Sequence, residues 1–282
     1  MEVFTDNLML RFGDKFGTMA VRVWQPEAVT ATVFCIHGFE GNGSDFDYLA
    51  KFLVQKGYRV VCPDIIGRGK STYFGDHSMY GIDSYLTCLG ALSKYASDNN
   101  SFIGTSWGGA ILMYFLYMTR VKADKLVLND VGMRNNQNVS DAIKFMAEDS
   151  RREFDTIEEA NAYVRGSRQY LGEFPEALWP SYLENKIRYS AGKFRLAYDP
   201  ATTGYTSAAI GKDYDLFPLL EKIETQILLL YGVDSACYQS ELVADLRKRC
   251  SKISCIPNLK SGHPPSLMTY EQALIIGGFL SF

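Results

Sequence analysis

Apolar positions along the chain follow two rhythms in turn. Val3 to Arg11 and Thr18 to Trp24 flank Gly13-Asp14 and Gly17, and Met19-Ala20-Val21-Arg22-Val23 alternates, which predicts a hairpin. From residue 30 the pattern changes to short, near-continuous apolar runs: Thr32–Ile36, Tyr58–Cys62, Ser101–Ile103 and Lys125–Leu128. Between them, Phe46–Lys56, Ile82–Ser97 and Trp107–Arg120 carry helical spacing. Strands that are apolar on both faces and alternate with helices predict a mostly parallel sheet with helices on either side.

The rhythm stops between residues 132 and 212, which contain no apolar strand run. Helix starts are present instead: Ser140 before Ile143 and Met146, and Thr156 with Glu159 three residues on, a capping box. The stretch is rich in aromatics, among them Phe145, Tyr170, Trp179 and Tyr182, and reads as a helical insertion. Strand and helix then alternate again: a strand over Gln226–Tyr231, a helix near Glu241–Arg249, a strand over Lys252–Pro257 and a last helix over Tyr270–Phe282. The expected organisation is a core of residues 1–131 and 213–282, with 132–212 as a helical insertion.

Composition adds exclusions. With 47% hydrophobic and 22% charged residues among 282, the chain can bury a large core and is not a disordered segment. A net charge of −3 speaks against a nucleic-acid groove or an anionic membrane surface as the main partner. The N-terminus shows no basic segment followed by an apolar one, and Ile111–Met118 is too short to span a bilayer. The six cysteines lack metal-type spacing, and Cys35 and Cys62 sit inside apolar runs as small buried side chains would. A soluble, reduced, cytoplasmic protein, monomer or homodimer, is expected.

The chemistry concentrates at Gly104-Thr105-Ser106-Trp107-Gly108-Gly109, a Gly-x-Ser-x-Gly between an apolar strand and a helical run. A strand-to-helix turn that sharp leaves no room for side chains beside the serine and holds its hydroxyl exposed, so Ser106 is the candidate nucleophile. Serine needs a base. Of His37, His77 and His263, the last follows the final strand, where the order nucleophile, acid, histidine puts the base. Oxyanion donors are expected from the amides of Trp107 and of Phe39, in the Gly38-Phe39-Glu40-Gly41 turn. Gly67-Arg68-Gly69-Lys70-Ser71 mimics the end of a phosphate-binding loop, but Asp64 stands where its first glycine should be; it reads as a structural turn.

His37-Gly38, Asp64-x-x-Gly67-x-Gly69-x-Ser71, Gly104-x-Ser106-x-Gly108-Gly109, Leu128-Asn129-Asp130 and Gly262-His263 occur in the order found in α/β-hydrolases, and the chain resembles that family over nearly its whole length. The resemblance is to lid-bearing serine esterases, lactonases and carbon–carbon bond hydrolases. It implies an eight-stranded, mostly parallel sheet with a lid after the sixth strand. The pattern breaks after the seventh strand: relatives carry Gly-x-x-Ser-Asp, and this chain has Gly232-Val233-Asp234-Ser235-Ala236, so the family's acid position falls on Ala236. Three explanations follow: an introduced Asp→Ala change at Ala236, first in order; a takeover by Asp234; or Asp130, at the end of the sixth strand.

The expected activity is hydrolysis of a carboxylic ester, thioester or lactone through an acyl-enzyme, with no metal or organic cofactor. The substrate is expected to carry an apolar or aryl acyl group, bound against Gly38, Phe39, Trp107 and lid aromatics. Carbon–carbon bond hydrolysis of a diketone-like substrate and a receptor-like fold with negligible turnover are the alternatives.

Overall fold

The computed structural model describes residues 1–134, 137–204, 215–238 and 240–281. The N-terminal hairpin is longer than the alternation predicts, with β1 (Glu2–Phe12) and β2 (Lys15–Gln25) paired antiparallel along their whole length. The apolar runs form β3 (Ala31–Ile36), β4 (Tyr58–Pro63), β5 (Asn100–Thr105) and β6 (Lys125–Asn129). Between them lie helices α1 (Asp47–Val54), α2 (Ile82–Ala91) and α3 (Trp107–Thr119).

Beyond β6 come α4 (Gln137–Asp149), the two-residue β7 (Glu153–Phe154), α5 (Ile157–Ser167) and α6 (Trp179–Glu184). They are followed by β8 (Ile187–Ser190), β9 (Lys193–Leu196) and α7 (Phe217–Leu220). The chain closes with β10 (Gln226–Gly232), α8 (Ser240–Arg249), β11 (Ile253–Asn258) and α9 (Tyr270–Ser281).

Eight strands form one sheet in the order β1-β2-β4-β3-β5-β6-β10-β11, antiparallel at β1–β2 and β2–β4 and parallel from β4 onward. Successive residues of one strand feed two cores. Phe34, Ile36, Ile227 and Leu229 pack with α2, α3 and α8 on one face. Val33, Cys35, Leu228 and Leu230 pack with α1 and α9 on the other. Burial on both faces is why these strands read as unbroken apolar runs.

The insertion differs from the helical expectation in one respect: β7, β9 and β8 form a three-stranded antiparallel sheet. Its hairpin turns at Ala191 (φ 51°) and Gly192 (φ 80°), two successive positive-φ residues that suit a tight turn between twisted strands. The capping box holds, with the Thr156 hydroxyl accepting from the Glu159 amide at 3.2 Å. Helix α4 begins three residues before Ser140; the side chains of Ser140 and Ile143 lie outside the described residues, as does the expected lid boundary at 212 and 213. No helix among the described residues is long and apolar enough to cross a membrane.

Candidate active site

The candidate site residues gather at the C-terminal ends of the parallel strands. Ser106 joins β5 to α3 with φ 49° and ψ −120°, a backbone state that an L-residue adopts at a cost. The glycines around it are dictated by contact. A Cβ on Gly104 would lie 2.4 Å from Gly109 Cα, and one on Gly108 would lie 2.4 Å from the His37 and Ile36 carbonyl oxygens. A Cβ on Gly109 would lie 2.3 Å from Val131 Cγ2. The turn closes only without these side chains.

His263, in the loop between β11 and α9, places Nε2 2.8 Å from Ser106 Oγ. Its Nδ1 lies 3.2 Å from Oδ1 of Asp130, whose side chain is fully buried. The N–H does not point squarely along that line, and such contacts are often loose before a substrate tightens them. Burial alone would push the His263 pKa down; the Asp130 carboxylate and, after it, the neighbouring Cys237 outweigh it and raise the pKa. Asp130 is itself anchored. Its Oδ2 accepts from the Gly232 amide at 3.0 Å, its Oδ1 accepts from the Ser235 hydroxyl at 2.8 Å, and its own amide donates to Leu230 O at 2.7 Å.

Trp107 opens α3, so its N–H belongs to the unpaired first turn of the helix, above the end of the Phe39 loop. The two side chains meet edge to face at 5.9 Å. Beneath them is Arg68, fully buried, its guanidinium 4.4 Å from the Trp107 ring centre and 4.9 Å from that of Phe39. Arg68 Nε donates to the Phe39 carbonyl at 3.1 Å and Nη1 to Ile66 O at 3.1 Å, while Nη2 has no hydrogen-bond partner among the described residues. His37 is also buried and is pushed down to about 3 by that burial, so it stays neutral. Its Nε2 accepts from the Ile65 amide at 3.0 Å and Nδ1 donates to Gly38 O at 2.7 Å, which ties the two loops together.

A cavity of about 920 Å³ opens above Ser106. Phe39, Trp107, Phe145, Met146, Val164 and Leu171 give it apolar walls, and Glu40, Asp45, Arg168 and Lys186 give it a charged end. Arg168, from the insertion, pairs with Glu40 at 2.5 Å and with Asp149 at 3.1 Å; Lys186 pairs with Asp45. Burial raises the Glu40 pKa, and Arg168 opposes that rise. The insertion is fastened to the histidine loop as well, through Gly262 N to Tyr170 O at 2.9 Å and Glu173 N to Lys260 O at 3.2 Å.

Residues 31–174, about half of the chain, match the family described as the alpha/beta hydrolase fold. The chain belongs to the α/β hydrolase family. It is 28% identical to a 3-hydroxybutyrate-oligomer hydrolase of Cupriavidus necator, over 93% of this chain and 92% of that one. It is 25% identical to a proline iminopeptidase of Lacticaseibacillus rhamnosus, over 76% and 77%. A solved α/β hydrolase from Novosphingobium aromaticivorans superposes with a TM-score of 0.83 at 24% identity, covering 100% of this chain and 99% of that one.

Within this hydrolase the structure brings Ser106 and His263 together, and sets Gly38, Phe39 and Trp107 around the same cavity. It changes the expectation for the acid. Ala236 and Asp234 both line the cavity and are exposed, but among the described residues the carboxylate paired with His263 is Asp130. The reason is strand adjacency. β6 and β10 are hydrogen-bonded neighbours, so a residue after the end of either strand can reach the same imidazole. A histidine served from β6 requires no lost aspartate at position 236.

His77 is exposed, as its polar surroundings suggested. The Gly67–Ser71 segment is a structural turn: Asp64 accepts from the Gly43 and Lys70 amides, each at 2.7 Å, and fills the space a Gly69 Cβ would need. Sequence reasoning missed Arg68, Glu40, Arg168 and Cys237, none of which stands in a motif that carries a charge or thiol signal.

Proposed function

We propose that this α/β hydrolase cleaves a carboxylic ester, thioester or lactone through an acyl-enzyme on Ser106. The observation that carries the reading is the continuous chain from Ser106 Oγ to His263 Nε2 at 2.8 Å and from Nδ1 to Asp130 at 3.2 Å, on the floor of the cavity. Ser106 Oγ attacks the carbonyl carbon while Nε2 takes its proton, and Asp130 stabilises the imidazolium. The amides of Phe39 and Trp107 hold the oxyanion, assisted by the N-terminal end of α3. The imidazolium then gives its proton to the leaving oxygen or sulfur. A water, deprotonated by the same Nε2, releases the acid.

The apolar wall favours an aliphatic or aryl acyl group near Ser106, as a small-molecule substrate. The charged end supplies hydrogen-bond partners for a hydroxyl or second carbonyl farther along the acyl chain. That pattern suits a hydroxyacyl ester and is supported by the named substrate of the Cupriavidus necator relative. The test is fluorophosphonate labelling of Ser106 followed by turnover of p-nitrophenyl esters graded by acyl length, each with and without a 3-hydroxyl. Labelling with turnover, both lost in Ser106→Ala, is expected. Ligand binding without turnover on any ester, thioester or lactone would overturn the reading in favour of a receptor.

A further inference from the structure

We propose that Asp130, Cys237 and His263 form a site for a thiophilic divalent cation, zinc foremost, whose occupancy switches the hydrolase off. One donor atom from each residue lies within 4.8 Å of the other two. Zinc bonded tetrahedrally to sulfur, nitrogen and oxygen at its usual lengths sets neighbouring ligand atoms about 3.5 Å apart. His263 Nδ1 and Asp130 Oδ1 are already 3.2 Å apart, so only a short side-chain movement closes the set around an ion.

Three further features fit a ligand set. Nδ1 is buried and has no well-aligned hydrogen bond among the described residues, so a metal that takes the place of its proton gives up only the loose 3.2 Å contact to Asp130 Oδ1. Supporting contacts exist: the Ser235 hydroxyl donates to Asp130, and the Cys237 amide donates to Ser235 Oγ at 3.2 Å. Such second contacts orient metal ligands. A path exists too, since Cys237 and His263 both border the cavity, and Cys237 is half-buried while the other five cysteines are buried. A fourth position facing the cavity is left for water.

The consequence follows from the tautomer and rests on the role proposed for His263. In the working enzyme Nδ1 carries the proton and the Nε2 lone pair faces Ser106. A cation at Nδ1 displaces that proton and bonds through the lone pair so freed, and the ring proton moves to Nε2. The thiol proton of Cys237 passes to solvent as the sulfur–metal bond forms. Nε2 then donates to Ser106 and cannot accept from it, so the serine loses its base while the substrate cavity stays open. Thiolate and imidazole select zinc and cadmium over magnesium or calcium.

The test titrates zinc into chelator-stripped enzyme during ester hydrolysis. Expected are a fall in kcat of at least tenfold with KM within about twofold, recovery with EDTA, and no effect of magnesium at the same concentrations. Cys237→Ser, compared with its own zinc-free rate, should need at least tenfold more zinc for half-inhibition. Calorimetry on Ser106→Ala reads binding without turnover: one zinc per chain, weakened tenfold or more by adding Cys237→Ser. Equal zinc sensitivity in Cys237→Ser, equal inhibition by magnesium, or no zinc uptake by Ser106→Ala overturns the site. Zinc uptake by Ser106→Ala without inhibition of the parent overturns the switch. A parent that binds zinc yet hydrolyses no ester, thioester or lactone sinks the hydrolase reading instead and leaves the cation site standing.

Discussion

Asp130→Asn separates the two strand ends that could serve the histidine. Asparagine keeps the shape and removes the charge, so His263 loses the group that raises its pKa and fixes Nδ1 as the protonated nitrogen. Related triads lose about 10⁴-fold in kcat on this change, and a loss of about 10³-fold or more is expected. The sign of the pH effect is fixed as well. Activity requires neutral His263 and rises with pH through its pKa, so removing the carboxylate moves the acidic limb of kcat/KM to lower pH while the plateau falls.

Stability should fall too, because the side chain now turns an NH2 toward the Gly232 N–H or the Ser235 hydroxyl, both donors onto Asp130. One buried donor left unmatched costs about 1–3 kcal/mol, which is about 2–5 °C in Tm for a chain of this size. The assays are a pH–rate profile with a p-nitrophenyl ester and a thermal melt. Ala236→Asp in the otherwise unchanged enzyme should gain less than about threefold, since the histidine already has its acid. A gain of 10³-fold from Ala236→Asp, or full activity in Asp130→Asn, would refute the assignment.

Ser106→Ala should abolish turnover and labelling while Tm moves by about a degree or two, as the hydroxyl packs against little; melting and ester assays on one preparation check both. His37 is buried with its pKa pushed down to about 3, so the unfolded chain takes up a proton near pH 6.5 that the folded one refuses. Stability on this account is complete above pH 6.5 and is lost on acidification. Urea unfolding should show wild type losing about 2–3 kcal/mol more than His37→Gln between pH 6.5 and 4.5. Arg68→Met removes a buried cation and its bond to Phe39 O; kcat should fall about tenfold or more with Tm unchanged or raised. An unchanged kcat would reduce Arg68 to packing. Arg168→Gln breaks the pair with Glu40, and steady-state kinetics should show kcat falling together with a rise in KM, where a mere cover would change KM alone.

The sheet was legible because its strands are buried on both faces, which leaves alternation nothing to show except apolar runs. The β8–β9 hairpin was not, although Ile187-Arg188-Tyr189-Ser190-Ala191-Gly192-Lys193-Phe194-Arg195-Leu196 alternates around a Gly-containing turn. Its strands face the lid interior on one side only, and two arginines and two lysines at 186–195 hid the pattern. The meeting of Ser106 with His263 was legible because a motif and a chain order locate the two residues. Which carboxylate meets His263 was ambiguous because that depends on which strands are neighbours, and β6 lies 100 residues from β10 in sequence but beside it in the sheet. Arg68 was illegible for a related reason. A Gly-Arg-Gly turn reads as solvent-exposed until Phe39, Tyr85 and Trp107, from three separate segments, close over it.

The same adjacency explains how the insertion takes part in the site. Arg168 lies in the lid and holds Glu40, next in chain to the proposed oxyanion donor Phe39. A few residues later, Tyr170 and Glu173 grip the loop that presents His263. Gly172 sits between them with φ 76°, where a Cβ would lie 1.9 Å from Lys260 O, so the lid backbone passes against the histidine loop with no side chain between. One short stretch of the insertion therefore touches both the loop of the proposed oxyanion donor and the loop of the proposed base. On the proposed mechanism, a segment placed in that way cannot shift without disturbing donor and base together, so the insertion would belong to the catalytic geometry as well as cover it.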